Sequence, residues 1–187
     1  GYIAAKPFCF ISYNTTTKEK MTSNEQEEYL ENYEKIVQIC NQEGWGDPFS
    51  YARGKEIAAA IRLGHTVAKT LSGADAYNSS GDPVEYKSTT GKKAKGSYTG
   101  ISVQSTWEKQ VKYLKEEKIL PYKEHYYNRF DDQGILVESW RLSGKDVFRL
   151  LLPKIQKSFN NSRNRKDPRI SANITTGEIH KYGKQVI

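Results

Sequence analysis

The stretch GADAYNSSGDPVEYKST, residues 73–89, holds Asp75, Asp82, Glu85 and Lys87 and runs straight into a cluster of lysines. Its Gly, Asn, Ser and Pro content, with Val84 and Tyr86 alternating against charged neighbours, predicts a β-hairpin and not a helix. Residues two apart on a strand share a face, so Glu85 and Lys87 point together and Tyr86 points away. Asp82, three residues before Glu85, faces the opposite way. A three-residue loop of Ser79, Ser80 and Gly81, with glycine in the last, left-handed position, pairs Asn78 with Asp82 and sets Asp75 opposite Glu85. Cross-strand Cβ atoms at such a pair stand roughly 4.5 to 5.5 Å apart, close enough for both carboxylates to grip one cation. Asp82 is then a turn residue before Pro83.

Two adjacent carboxylates repel each other unless a cation sits between them. Lys87 is placed to supply part of that charge, and oxygen-only ligands favour magnesium over zinc for the rest. A hard metal, a lysine and a neighbouring basic surface together suit phosphodiester hydrolysis. The same alternation also fits a half-exposed hairpin carrying a surface salt bridge. Glu-x-Lys alone carries little information, because Glu116 and Lys118 repeat it on what reads as a helix.

Working outward, SNEQEEYLENYEKIVQIC from Ser23 places Tyr29, Leu30, Tyr33, Ile36, Val37 and Cys40 on one helical stripe, with an acidic outer face. Burial of that stripe in the core is the preferred expectation over a dimer contact. Asp47 and Pro48 open a second helix through SYARGKEIAAAIRL, which Gly64 stops. After the hairpin, GKKAKG is a basic loop and SYTGISV a strand. Ser105 and Glu108 have capping-box spacing for a helix carrying Trp107, Val111 and Leu114. HYYNRFDDQGILVESWRL reads as two strands joined through Asp131 to Gly134. Ser143 and Asp146 start a last helix that Pro153 should kink or end. NNSRNRKDPR reads as a loop, and ISANITTGEIHKYGKQV as two short strands. The order predicts an α/β fold, a mixed central sheet flanked by helices.

The 187 residues suffice for one core, so a single domain is expected: residues 1–22 as an extension, 23–43 as an N-terminal helix, 47–118 as the catalytic core, and 119–187 completing the sheet and the DNA-binding elements. With 29 basic and 22 acidic side chains the formal charge is +7, unevenly spread. Glu25, Glu27, Glu28, Glu31 and Glu34 are acidic, whereas residues 87–115 hold seven lysines against Glu108 alone. Such a basic region suits nucleic acid, although excess lysine also serves plain solvation. Two cysteines, Cys9 and Cys40, indicate neither a disulfide framework nor a zinc site and fit a reducing cytoplasm. Lys6 and Pro7 interrupt the apolar opening, so no signal peptide, spanning helix or membrane role is expected.

Asp75, ten residues, Glu85, one residue and Lys87 together resemble the active-site signature of the PD-(D/E)XK nuclease superfamily, type II restriction endonucleases in particular. Ala74 stands where the motif's first letter is proline. GDPFSYARGKE, GILVESWRLSGKDV and EIHKYG loosely resemble segments of the small blunt-cutting members. The resemblance implies a restriction-endonuclease-like core and a homodimer on a palindromic site in double-stranded DNA. It implies magnesium, with manganese tolerated, and 5′-phosphate ends. A cognate DNA methyltransferase would protect the host without being a physical partner. Carried over by position, Asp75, Glu85 and the backbone carbonyl of Tyr86 would hold the metal, and Lys87 would act on the water. Glu56 would be a further acid near the metal, or an exposed glutamate paired with Lys55 or Lys69.

DNA contacts are expected from Lys92, Lys93, Lys95, Ser97, Tyr98 and Thr99, and from Arg163, Arg165 and Arg169. The lysines suit phosphates, and the polar residues of GSYTG suit base edges. His65, His125 and His180 lack the context of a histidine-metal nuclease and are assigned no catalytic role, although His180 could approach DNA. Two alternatives share parts of this pattern: a structure-selective nuclease such as a Holliday-junction resolvase, and a nucleic-acid-binding module without catalysis.

Overall fold

The computed structural model describes residues 23–69, 73–162 and 168–187. The extension expected at residues 1–22 lies outside them. The chain divides into two units between Lys35 and Ile36. In the first, the described residues form the opening turns of helix α1 (Ser23–Glu43). Tyr29, Leu30 and Tyr33 are exposed there, as is Ile36 in the second unit, and Cys40 is the buried residue of the helix. Within the second unit the stripe is thus buried at Cys40 and open at Ile36. Periodicity shows that a helix has an apolar face, not what covers it.

In the second unit, α2 (Arg53–Leu63) starts later than the Asp47–Pro48 pair suggests. Asp47 caps a turn instead, its side chain accepting from the Phe49 N–H at 2.9 Å. Gly64, in the left-handed conformation, stops α2 as expected. Six strands form one mixed sheet in the order β1 (Thr66–Val67), β2 (Ala76–Tyr77), β3 (Pro83–Thr90), β5 (Glu124–Phe130), β6 (Leu136–Ser143) and β8 (Lys184–Gln185). β3 and β5 run parallel, and the other neighbours are antiparallel. A parallel pair needs a crossover. Here it carries β4 (Gly96–Ser102), α3 (Trp107–Tyr113) and a π-helical turn (Leu114–Lys118). β4 leaves the main sheet and pairs with β7 (Arg169–Ile174) in a two-stranded ribbon.

The sheet separates two apolar clusters. Ile57, Ala59 and Ala60 of α2 pack with Val67, Val84, Tyr86, Tyr126 and Phe130. The other cluster joins Tyr127 and Leu142 to Val147, Leu151, Ile155 and Phe159 of α4 (Gly144–Ser162) and to Ile170, Ala172 and Ile174 of β7. An α/β architecture with a mixed central sheet flanked by helices is thus present.

Three local expectations change. Thr106 and not Ser105 caps α3, accepting from Lys109 N–H. α4 runs through Pro153 to Ser162 without ending at it. The segment after β7 is not simply two strands, because α5 (Thr176–Tyr182) stands between β7 and β8 behind a Thr175–Glu178 capping box. Among the described residues, no helix is long and apolar enough to cross a membrane.

Candidate active site

The hairpin forms in the expected register. Ala76 pairs with Val84 and Tyr77 with Pro83. Asn78 N–H donates to the Asp82 carbonyl at 3.0 Å and Gly81 N–H to the Asn78 carbonyl at 2.9 Å. That closes the three-residue loop, with Gly81 at φ +78° where a side chain would be strained. Asp82 sits at the turn, 3.8 Å from Lys123 Nζ.

Asp75 lies one residue beyond the paired part of β2, in line with Glu85 across the hairpin. Its N–H donates to the Val84 carbonyl at 3.1 Å, and its Oδ2 accepts from the Tyr86 N–H at 2.6 Å. The carboxyl is pushed up to about 7, first by burial and then by the negative charge of Glu85, with Glu56 adding a smaller contribution. The Tyr86 N–H and Lys87 act in the opposite sense without cancelling this. A coupled pair of acids is thus built at the end of β2 and on β3.

Lys87 Nζ pairs with Glu85 Oε1 at 2.5 Å, both side chains half-buried. The ammonium also lies 4.9 Å from the centre of the Tyr98 ring. Beneath that ring is a polar network. Tyr98 Oη is 2.9 Å from His125 Nδ1 and 2.9 Å from Tyr127 Oη, and His125 Nε2 is 3.1 Å from the Ile119 carbonyl. A carbonyl can only accept, so Nε2 carries the proton and Nδ1 accepts from Tyr98, which accepts in turn from Tyr127. Burial, with a smaller contribution from the Lys87 charge, holds His125 down at about 4 against the opposing hydrogen bond to the Ile119 carbonyl, so the ring is neutral at physiological pH. The parallel register sets Glu85 beside His125 and Lys87 beside Tyr127. Gly96 makes room for this packing, since a Cβ there would meet the Tyr127 ring at 2.1 Å.

Tyr98 is therefore removed from the set of DNA-contacting residues. It is buried, and its hydroxyl is occupied by His125 and Tyr127. His125, assigned no role in the sequence, is fully buried in the support of Lys87. Tyr122 also belongs to the surroundings of the acids. Burial, with the charges of Glu85 and Asp75 adding to it, pushes its hydroxyl up to about 12. No spacing rule in the sequence links Lys87 to Tyr98 or His125, because the contact runs across the crossover.

Glu56, in the first turn of α2, pairs with Arg53 at 3.4 Å and not with Lys55 or Lys69. Lys92, Lys93, Lys95, Ser97 and Thr99 are exposed. Ser97 and Thr99 share the solvent side of the ribbon with Arg169, Ser171 and Asn173, and Ser97 is registered with Asn173. Arg163 and Arg165 lie outside the described residues. His65 Nδ1 is 2.7 Å from Tyr86 Oη, and His180 packs on Trp140 with ring centres 4.6 Å apart.

Among the described residues, no group of three or more His, Cys, Asp and Glu side chains gathers to hold a metal. The donors come instead as a carboxylate pair. Two carboxylates and no nitrogen or sulfur donor form an oxygen-only set, which fits a hard divalent cation such as magnesium. The class defined here is an α/β protein with a mixed six-stranded sheet and a paired-acid and lysine site on one hairpin. No protein-family model matches the chain, and no curated protein matches it significantly.

Proposed function

We propose that this chain is a magnesium-dependent DNA endonuclease of the type II restriction class, with the PD-(D/E)XK arrangement at Asp75, Glu85 and Lys87. It hydrolyses phosphodiester bonds in double-stranded DNA at a short palindromic site, as a homodimer. The observation that carries the reading is the placement of Asp75 across the hairpin from Glu85, where burial first and the charge of Glu85 second raise Asp75 to about 7, beside a lysine held on an aromatic ring.

Asp75, Glu85 and the Tyr86 carbonyl would hold the cation, which when bound polarises the phosphate and lowers the pKa of a water. The Tyr86 N–H fixes one oxygen of Asp75, so the carboxylate is oriented before the cation arrives. Lys87 holds the attacking water and screens developing charge. Tyr98, Tyr127 and neutral His125 keep the ammonium in place without adding charge. Lys92, Lys93 and Lys95 grip phosphates, and Ser97, Thr99, Ser171 and Asn173 offer hydrogen-bonding groups to base edges. A two-stranded ribbon fits the major groove.

The test is digestion of a long unmethylated DNA with magnesium and with a chelator, followed by sequencing of the ends. Discrete fragments with 5′-phosphates are expected with magnesium alone. Asp75→Asn and Lys87→Met should each lower the rate by about 100-fold or more. Cleavage confined to branched DNA would replace the restriction reading by a structure-selective nuclease. DNA binding with no cleavage of any substrate would sink the enzymatic reading altogether.

A further inference from the structure

A pocket of about 130 Å³ opens beside the hairpin, lined among others by Glu85, Lys87, Ser97, Thr99 and Lys118. Lys118 comes from a different part of the chain, the end of the π-helical turn. Such turns are rare and occur frequently at functional sites, because the extra residue re-aims a side chain. Here the turn closes through the Ile119 N–H, which donates to the Leu114 carbonyl at 2.9 Å.

The end of this turn is tied to the support of Lys87. The Ile119 carbonyl accepts from His125, His125 accepts from Tyr98, and the Tyr98 ring carries the Lys87 ammonium. Both lysines thus line the pocket from one buried hydrogen-bonded framework. Their charges are not equivalent. Lys87 is paired with Glu85, whereas Lys118 has no carboxylate partner among the described residues. Its Nζ lies 5.9 Å from the centre of the Tyr113 ring, a contact too weak to hold the charge against an anion.

We propose that Lys118 is a second catalytic cation of this site, contacting a non-bridging oxygen of the scissile phosphate as charge builds on it. This rests on the nuclease reading above. Lys87 already gives donors to Glu85 and the water, so a second ammonium supplies positive charge to the phosphate oxygens that Lys87 alone does not. Lys118 has the free ammonium, the fixed origin and the shared pocket that this task requires.

The test is single-turnover cleavage by wild type, Lys118→Met, Lys118→Arg and Lys87→Met, with DNA affinity measured in parallel by anisotropy in calcium. Lys118→Met should lower the cleavage rate constant by about 100-fold while DNA affinity changes less than about threefold. Lys118→Arg should recover most of the rate, because the charge is restored. A Lys118→Met rate within twofold of wild type, with Lys87→Met inactive, would overturn the role of Lys118 and leave the nuclease reading standing. Equal losses in rate constant and affinity would make Lys118 a general DNA contact and overturn the proposal too. A wild-type protein that cleaves no DNA would overturn both readings together.

Discussion

Lys87 depends on residues far from it in the sequence, and the one with the sharpest consequence is His125. A fully buried imidazole whose Nε2–H is spent on a carbonyl has no acceptable place for a second proton in the folded state. Its pKa is therefore lowered to about 4, while the unfolded chain titrates near the ordinary value of 6.5. Below 6.5 the unfolded state takes up a proton that the folded state refuses, so stability falls as pH drops from about 6.5 towards 4. Above 6.5 the term vanishes. Between pH 7 and pH 5 this one group should cost about 2 kcal/mol. Urea unfolding at the two pH values, compared between wild type and His125→Gln, checks it: the wild-type loss should exceed that of the variant by roughly this amount. Equal pH sensitivity would mean that His125 titrates normally. The framework under Lys87 should respond to pH in this way whether or not the site binds a metal.

At the scale of elements, the hairpin was legible because its information is local. Turn residues, alternation and a period of two suffice to place Asp75 opposite Glu85 and to set Asp82 aside, and the register of β2 and β3 agrees. The support of Lys87 was not legible, since Tyr98, Ile119 and His125 reach it from three elements joined only by the parallel crossover. α5 is an intermediate case. Its signal, Thr175 followed three residues later by Glu178, is the same capping box that marks other helices, but seven helical residues between two β-rich segments carry too little periodicity to reveal themselves. The box has an energetic consequence. Thr175 Oγ1 accepts from the Glu178 N–H at 3.3 Å, and Glu178 Oε2 accepts from the Thr175 N–H at 2.8 Å and from Lys154 at 2.6 Å. Thr175→Ala should remove the first contact and destabilise the protein by about 1 kcal/mol. The midpoint of thermal unfolding should then fall by about 2 to 4 °C. A shift below 1 °C would show that the Lys154–Glu178 pair, not the cap, fixes the start of α5.

For the whole molecule, the distribution of charge says more than its sum of +7. Acidic residues concentrate in the first helix and lysines in the stretch after Lys87, and Lys92, Lys93 and Lys95 stand exposed in the segment that leads into the ribbon. If these lysines bind phosphates and the ribbon reads bases, the two functions separate under salt. Each phosphate contact releases counterions and steepens the dependence of affinity on salt by roughly 0.9 in the double-logarithmic slope, whereas hydrogen bonds to base edges contribute almost nothing to it. Replacing the three lysines by glutamine should therefore flatten the slope by up to about 2.7, measured by anisotropy titrations between low and physiological salt. The pattern of DNA fragments should stay the same. Ser97→Ala and Asn173→Ala should do the reverse, leaving the slope unchanged while weakening the preference for the cleaved sequence. A triple-lysine variant that alters the fragments, or a ribbon variant that flattens the slope, would show that positioning and reading are not divided between the basic loop and the ribbon.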